Sequence, residues 1–157
     1  MKFVADGMLG SLVRWLRMMG HDVEYSIGFD DEKLLVLARE ESRVLLTRDL
    51  ELYKRSTARV IDAVYVEGEN EVERLAALAG RFGLALEIDL RTSRCPRCNT
   101  PIQPVPKASI TDRVEKKTFA HYDEFWECPK CRKVYWQGAH WPKIRDTLED
   151  AKKPREG

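Results

Sequence analysis

Along the first 90 residues the apolar positions change period repeatedly, and each change marks an element. Lys2-Phe3-Val4-Ala5 is a short apolar run ending at Asp6, which predicts a strand. Leu9, Leu12, Val13 and Leu16 then recur at helical spacing and predict an amphipathic helix, closed by Gly20, a residue free to take a left-handed cap. Residues 23–25 predict a second strand. Asp30 or Asp31 can cap the next helix, which carries Leu34, Leu35, Leu37 and Ala38. Val44-Leu45-Leu46 has the unbroken apolar character of a strand buried on both faces. It ends in Thr47-Arg48-Asp49, and a short helix starts near Leu50. Residues 63–66 predict another strand, residues 70–82 a helix, and residues 84–88 an edge strand. Strands alternating with helices argue for a parallel sheet covered on both faces.

The alternation stops near Leu90, so two units are expected, residues 1–90 and residues 91–157. The second holds all four cysteines, aromatic residues without helical period, and a last helix from Pro142 to about Lys152. The final residues are expected to be loose.

Composition narrows the class. A chain of 157 residues, 43% hydrophobic and 34% charged, suits a folded globular protein with one core and a small metal-stapled module. No apolar run nears the roughly 20 residues that span a bilayer. Asp6 interrupts the stretch that a signal peptide keeps apolar. A cytoplasmic protein without a membrane partner is expected. The net charge of +1 hides a division. Residues 1–90 hold 12 Lys/Arg against 17 Asp/Glu, residues 91–157 hold 15 against 9, so the second unit is the expected polyanion contact.

Cys95-Pro96-Arg97-Cys98 and Cys128-Pro129-Lys130-Cys131 each present two thiols on a tight turn. Two such knuckles supply the four sulfurs that a structural zinc ion prefers. The 29 residues between them suit a ribbon carrying a long inserted hairpin. Disulfides do not fit a cytosolic setting, and a redox motif needs one pair beside a helix start. With its shell filled by cysteine, the zinc would be structural, and His121 and His140 are not needed as ligands.

A second constellation is acidic. In parallel sheets functional groups gather at the carboxyl ends of strands. Asp6 follows the first strand, Asp49 follows the third, and Asp30/Asp31 opens the helix between them. Carboxylates brought together there repel unless a divalent cation joins them, and Mg²⁺ or Mn²⁺ so held serves phosphodiester hydrolysis. The bland reading makes each Asp a helix cap or turn residue. It weighs most for Asp30/Asp31.

Arg14 and Arg17 stand opposite the apolar stripe of the first helix, with Gly10 and Ser11 nearby, and are read as phosphate contacts together with Arg48. In the second unit Arg94, Arg97, Lys130, Arg132 and Lys133 interleave with tyrosine and tryptophan, a composition that grips single-stranded RNA. The competing reading spends those aromatics on the ribbon's own core.

The segment from Phe3 to Arg17, the segment Arg43-Val44-Leu45-Leu46-Thr47-Arg48-Asp49, and the second cysteine pair running into Tyr135-Trp136-Gln137-Gly138-Ala139-His140-Trp141 resemble the Mut-seven C-terminal RNase family. The resemblance implies a PIN-like nuclease fold followed by a zinc ribbon. It also implies a Mg²⁺- or Mn²⁺-dependent ribonuclease, expected to be an endonuclease, in which the acids matching Asp6, Asp31 and Asp49 hold the cation, with Asp30 close by. A fourth acid has no match, since Asp62 precedes its strand. RNA is the expected partner, with the ribosome and rRNA or tRNA precursors as candidates. The rivals are a non-catalytic RNA-binding or ribosome-associated protein of the same fold and a protein–protein adaptor.

Overall fold

The computed structural model describes residues 1–154. The expected looseness of the last residues lies in part outside them. Strands β1 (Lys2–Ala5), β2 (Asp22–Tyr25), β3 (Val44–Thr47) and β4 (Ala63–Tyr65) form one parallel sheet in the order β2-β1-β3-β4. Helices α1 (Gly10–Met18), α2 (Asp31–Glu40), α3 (Leu50–Ala58) and α4 (Glu71–Phe82) alternate with them. The twofold alternation of strand side chains divides the core into two layers. Phe3, Ala5, Val23, Leu46 and Val64 pack with Leu12, Leu16, Leu75 and Leu78 on the α1/α4 face. Val4 and Leu45 point the other way, into Leu34, Leu35 and Ala38 of α2 and Leu52 of α3. Coverage of both faces is why these strands read as unbroken apolar runs.

Helix ends follow their local chemistry. Asp30 caps α2 through a 2.8 Å bond from the Lys33 amide, and Asn70 caps α4 through a 2.9 Å bond from the Glu73 amide. Gly83 closes α4 in the left-handed region, φ 66°. Before α1 lies a 3-10 turn, Gly7–Leu9.

Residues 84–88 depart from expectation. Leu84, Leu86 and Ile88 pack against the first layer while Ala85 and Glu87 stay exposed, the alternation of a strand. Yet the segment joins no ladder among the described residues. At β2 the sheet edge is already occupied by side chains: the Val23 amide donates to Asn99 Oδ1 (3.0 Å), and the Val23 carbonyl accepts from Arg17 Nε and Nη2 (3.0 and 2.8 Å).

The C-terminal part begins with an antiparallel ribbon, β5 (Gln103–Val105), β6 (Phe125–Glu127) and β7 (Val134–Tyr135), in that order. The insert between the cysteine pairs is more than a hairpin. It holds a 3-10 turn, Lys107–Ile110, and a short helix α5 (Lys116–His121), and Ile110, Phe125, Val134, Phe119, Tyr122 and Trp136 share a small apolar cluster. Helix α6 (Trp141–Lys152) then returns to the sheet domain and packs on α4, placing Leu148 and Ala151 in the first core.

The two parts are joined through buried polar groups. Arg17 Nη1 also donates to the Pro96 carbonyl (3.0 Å), and the Arg94 amide donates to the Arg17 carbonyl (2.8 Å). Asn99 donates to Asp22 (2.7 Å), which is held in turn by Arg43 (2.8 Å), itself buried and paired with Glu41 (2.7 Å). Burial alone would raise the Asp22 pKa, but the hydrogen bonds from Arg43 and Asn99 and the Arg43 charge outweigh it and hold the carboxyl below its ordinary value.

Two outcomes are expected. Leu148→Ala should cost about 2–4 kcal/mol, read as a lower urea midpoint for the sheet domain although Leu148 follows the ribbon in sequence. Asp22 binds its proton less tightly folded than unfolded, so its contribution is full above an unfolded pKa of about 4 and is lost as pH falls through the lower folded value. Denaturation midpoints should therefore drop below about pH 4, and Asp22→Asn should flatten that acid limb.

Candidate active site and metal centre

The sheet order sets the site. After β1 the chain moves outward to β2, then crosses back to place β3 on the other side of β1. The crevice at the carboxyl ends of β1 and β3 is thus a topological switch point, where parallel α/β sheets bind ligands. Asp6 follows β1 and Asp49 follows β3 at this crevice. The pairing continues one rung past β1, with the Asp6 amide donating to the Leu46 carbonyl at 3.0 Å.

Thr47, fully buried, ties the two acids together. Its hydroxyl donates to Asp6 Oδ2 (2.9 Å) and accepts from the Asp49 amide (2.9 Å). Asp49 Oδ1 caps α3, taking the amides of Glu51 (2.9 Å) and Leu52 (3.2 Å). Asp6 Oδ1 takes the Met8 amide at a long 3.4 Å. Both residues serve as caps, as the bland reading held, and each stands at the crevice as well.

The second acidic position is differently engaged. Asp30 is the cap of α2, and Asp31 is the first helical residue, paired with Arg55 at 3.1 Å. Among the described residues no acidic trio brings its oxygens as close as the cysteine sulfurs come to one another. One or two carboxylates with substrate phosphate and water are nonetheless the donor set that a Mg²⁺ site commonly uses, and Asp6 and Asp49 are of that chemistry.

The expected phosphate contacts divide. Arg14 and Ser11 are exposed on α1, at the end that begins near Asp6. Arg17 is a correction: its guanidinium is only 5% exposed and spent on the Val23 and Pro96 carbonyls, so it joins the ribbon to β2 and does not reach a ligand. Arg48 Nη1 donates to the carbonyls of Val66 (2.6 Å) and Gly68 (3.2 Å), tying the loop after β3 to the loop after β4. Gly10 makes room for Tyr25. A Cβ there would sit 2.8 Å from the phenol oxygen, which donates to the Gly7 carbonyl.

Two groups escaped the sequence reading. Thr47 looked like a strand end. Glu71, at the start of α4, has one buried carboxylate oxygen without a hydrogen-bond partner, an acceptor that a cation or water would complete. Asp62 lies at the opposite, amino end of β4, its carbonyl accepting from the Leu45 amide. Beside Asp49 runs a cleft of about 470 Å³ lined by Leu50, Tyr53, Tyr65, Val66, Glu67 and Arg81.

At the cysteine site the two knuckles repeat one geometry. Asn99 and Arg132 take left-handed φ values of 71° and 67°, and their amides donate to the carbonyls of Cys95 and Cys128, both at 2.8 Å. The four sulfurs lie within 4.8 Å of one another, with Cys98–Cys128 at 3.5 Å and Cys95–Cys131 at 4.0 Å. A tetrahedron with bonds of about 2.3 Å has edges of about 3.8 Å, whereas a disulfide needs about 2.05 Å. The arrangement is therefore consistent with structural zinc and excludes bonded pairs. Burial opposes ionisation of Cys98, yet the Thr100 hydroxyl and amide and the neighbouring thiols pull it down to about 6. Cys131, hydrogen-bonded to Cys98 and partly desolvated, is pushed up to about 12. Such competition for protons is what a divalent cation removes. The Tyr135 hydroxyl lies 3.1 Å from Cys95 Sγ; burial and that neighbour raise its pKa, leaving a phenol able to donate to a thiolate.

A parallel α/β domain with acids at its switch point, joined to a four-cysteine ribbon, defines a class of two-part proteins with a nuclease-like fold. The chain matches the Mut7-C RNAse domain over residues 1–148 and belongs to that family, which points to an RNA-related role. It is also similar to the Ribonuclease P protein component 4 of Methanopyrus kandleri, with 28% identity over 121 residues covering 74% of this chain and 88% of that protein. No solved structure matches the chain at a significant level. Among the described residues no helix is long and apolar enough to cross a membrane.

Purified protein should carry one zinc ion per chain by atomic emission. Cys128→Ser should reduce that to near zero and red-shift the tryptophan emission as the ribbon around Trp126 opens.

Proposed function

We propose that the protein is a cytoplasmic, Mg²⁺- or Mn²⁺-dependent ribonuclease, cutting internal phosphodiester bonds, whose ribbon helps to hold the RNA. The observation that carries this reading is the linkage of Asp6 and Asp49 through Thr47 at the carboxyl ends of adjacent parallel strands. These two carboxylates would hold the cation, and Asp31 and Asp30, at the start of α2, would complete the acidic set. What a bound cation adds is Lewis acidity toward a phosphodiester and its attacking water.

The chain's own groups do the rest. Thr47 orients the Asp6 carboxylate, and the first amides of α3 fix one oxygen of Asp49, so neither acid must reorganise when substrate arrives. Arg14 and Ser11, exposed on the first turns of α1, would take phosphate oxygens. Arg48 contributes by fixing the loop that carries Asp49. The cleft beside Leu50, with Tyr53 and Tyr65 in its wall, would accept an unstacked base of the substrate. The family and the similarity to a ribonuclease P component support RNA as substrate, with rRNA or tRNA precursors as the class to try first.

The rival reading, an RNA-binding or ribosome-associated protein without catalysis, is favoured by one observation, the pairing of Asp31 with Arg55. Salt-sensitive RNA binding with no cleavage under any divalent cation would select it.

The deciding assay uses structured and single-stranded RNA with Mn²⁺. Cleavage should stop on adding EDTA, and Asp6→Asn should lower it about a hundredfold or more. Asparagine caps a helix as well as aspartate does, so the variant should unfold within about 0.5 kcal/mol of wild type. Full activity in Asp6→Asn would sink the proposal.

A further inference from the structure

At the other end of α1, away from the acids, the ribbon, α6 and the end of α1 enclose a groove of about 620 Å³. This lies within the size range of ligand sites. Its wall is unusual in two respects. Tyr122, Tyr135, Trp136 and Trp141 all line it, and no Asp or Glu does. Arg94, Lys133 and His140 line it as well. Two other clefts of the described residues include acids in their walls: Glu67 beside Asp49, and Asp123 with Glu124 near the end of α5.

The charge is therefore complementary to an anion, and the aromatic faces are complementary to flat rings. Lys133 Nζ stands 5.6 Å from the centroid of the Tyr135 ring, which places a cation beside an aromatic face within one wall. Trp136 is half-buried against Phe125 with ring centroids 6.1 Å apart, so its position is fixed by packing before any ligand arrives. A pre-set aromatic wall with a basic rim and no acid is the chemistry that binds unstacked bases of a single strand while holding its phosphates.

We infer that this groove is a second RNA contact, taking unpaired bases of a single-stranded segment whose remainder lies across the acidic crevice. The inference rests on the ribonucleolytic reading for the identity of the ligand, but not for the groove itself. Met18, at the C-terminal end of α1, lines the groove, whereas Asp6 precedes its N-terminal end. The nine residues of α1 between them are by themselves about 13 Å long. A short substrate would then reach only the acids, and a longer one would engage both. The groove would select for single-stranded flanking sequence by length and by stacking, with little base preference.

The experiment uses full-length zinc-loaded protein and a decamer of oligouridylate containing 4-thiouridine, photocrosslinked without Mg²⁺ or Mn²⁺ and mapped by mass spectrometry. Crosslinks should fall in the Lys133–Trp141 peptide. In parallel, the double variant Lys133→Glu/His140→Glu changes two exposed rim residues. It should weaken decamer binding about tenfold at about 0.1 M salt, with zinc content and circular dichroism unchanged. Cleavage of a dinucleotide in Mn²⁺ should be unaffected. Crosslinks confined to the neighbourhood of Arg14 and Asp49, or decamer affinity untouched by the double variant, would overturn the groove while leaving the nuclease reading intact. Failure of wild type to bind or cut any RNA would overturn both. Self-association that the double variant abolishes in the absence of RNA would show a second copy of the chain as the occupant, and would also overturn the inference.

Discussion

The hydrogen bond from the Asp6 amide to the Leu46 carbonyl is the rung on which the functional geometry depends. It extends the β1–β3 ladder just beyond the strand and fixes where the Asp6 side chain leaves the sheet. One residue further along β3, the Thr47 hydroxyl reaches Asp6 and receives the Asp49 amide. Because the strands are parallel, their carboxyl ends share one pole. Because the chain reverses direction between β2 and β3, those ends also leave a crevice. Register thus sets Asp6 and the backbone of Asp49 on the same Thr47 hydroxyl.

The same economy appears at the opposite pole. Arg17, Asn99, Asp22 and Arg43 form a chain of hydrogen bonds that seals the β2 edge and fastens the first cysteine knuckle to it. Unpaired strand edges invite pairing with other chains, and here the Val23 amide and carbonyl of the β2 edge are spent on the protein's own side chains. Buried charges of this sort are tolerable only when every partner is present. The ribbon is thus held by directional contacts and not by a broad apolar interface alone. Helix α6 completes the attachment by returning Leu148 and Ala151 to the sheet core.

The metal centre and the acidic crevice therefore have different physical roles. Four cysteines close a coordination shell, so an ion there stabilises the ribbon and does not meet substrate. At Asp6 and Asp49, by contrast, a cation would need substrate phosphate or water to complete its shell. A ribbon fastened to β2 through Arg17 and Asn99, and closed by an ion at its four cysteines, is also what would keep the aromatic groove in shape.

Period and spacing in the sequence determined the order of strands and helices up to Phe82, their bounds to within a residue or two, and the pairing of the cysteine knuckles, because those depend on neighbours in the chain. The acids at strand ends were legible for the same reason. Tertiary structure decided what no local pattern carries: that Arg17 turns inward, because its partners at Val23 and Pro96 arrive from distant segments, and that Gly10 yields space to Tyr25. It decided as well that Thr47 links the two acids, and that residues 84–88 keep a strand's alternation without a ladder. A side chain's periodicity records which face it occupies, but only the packing of elements remote in sequence determines what it finds there.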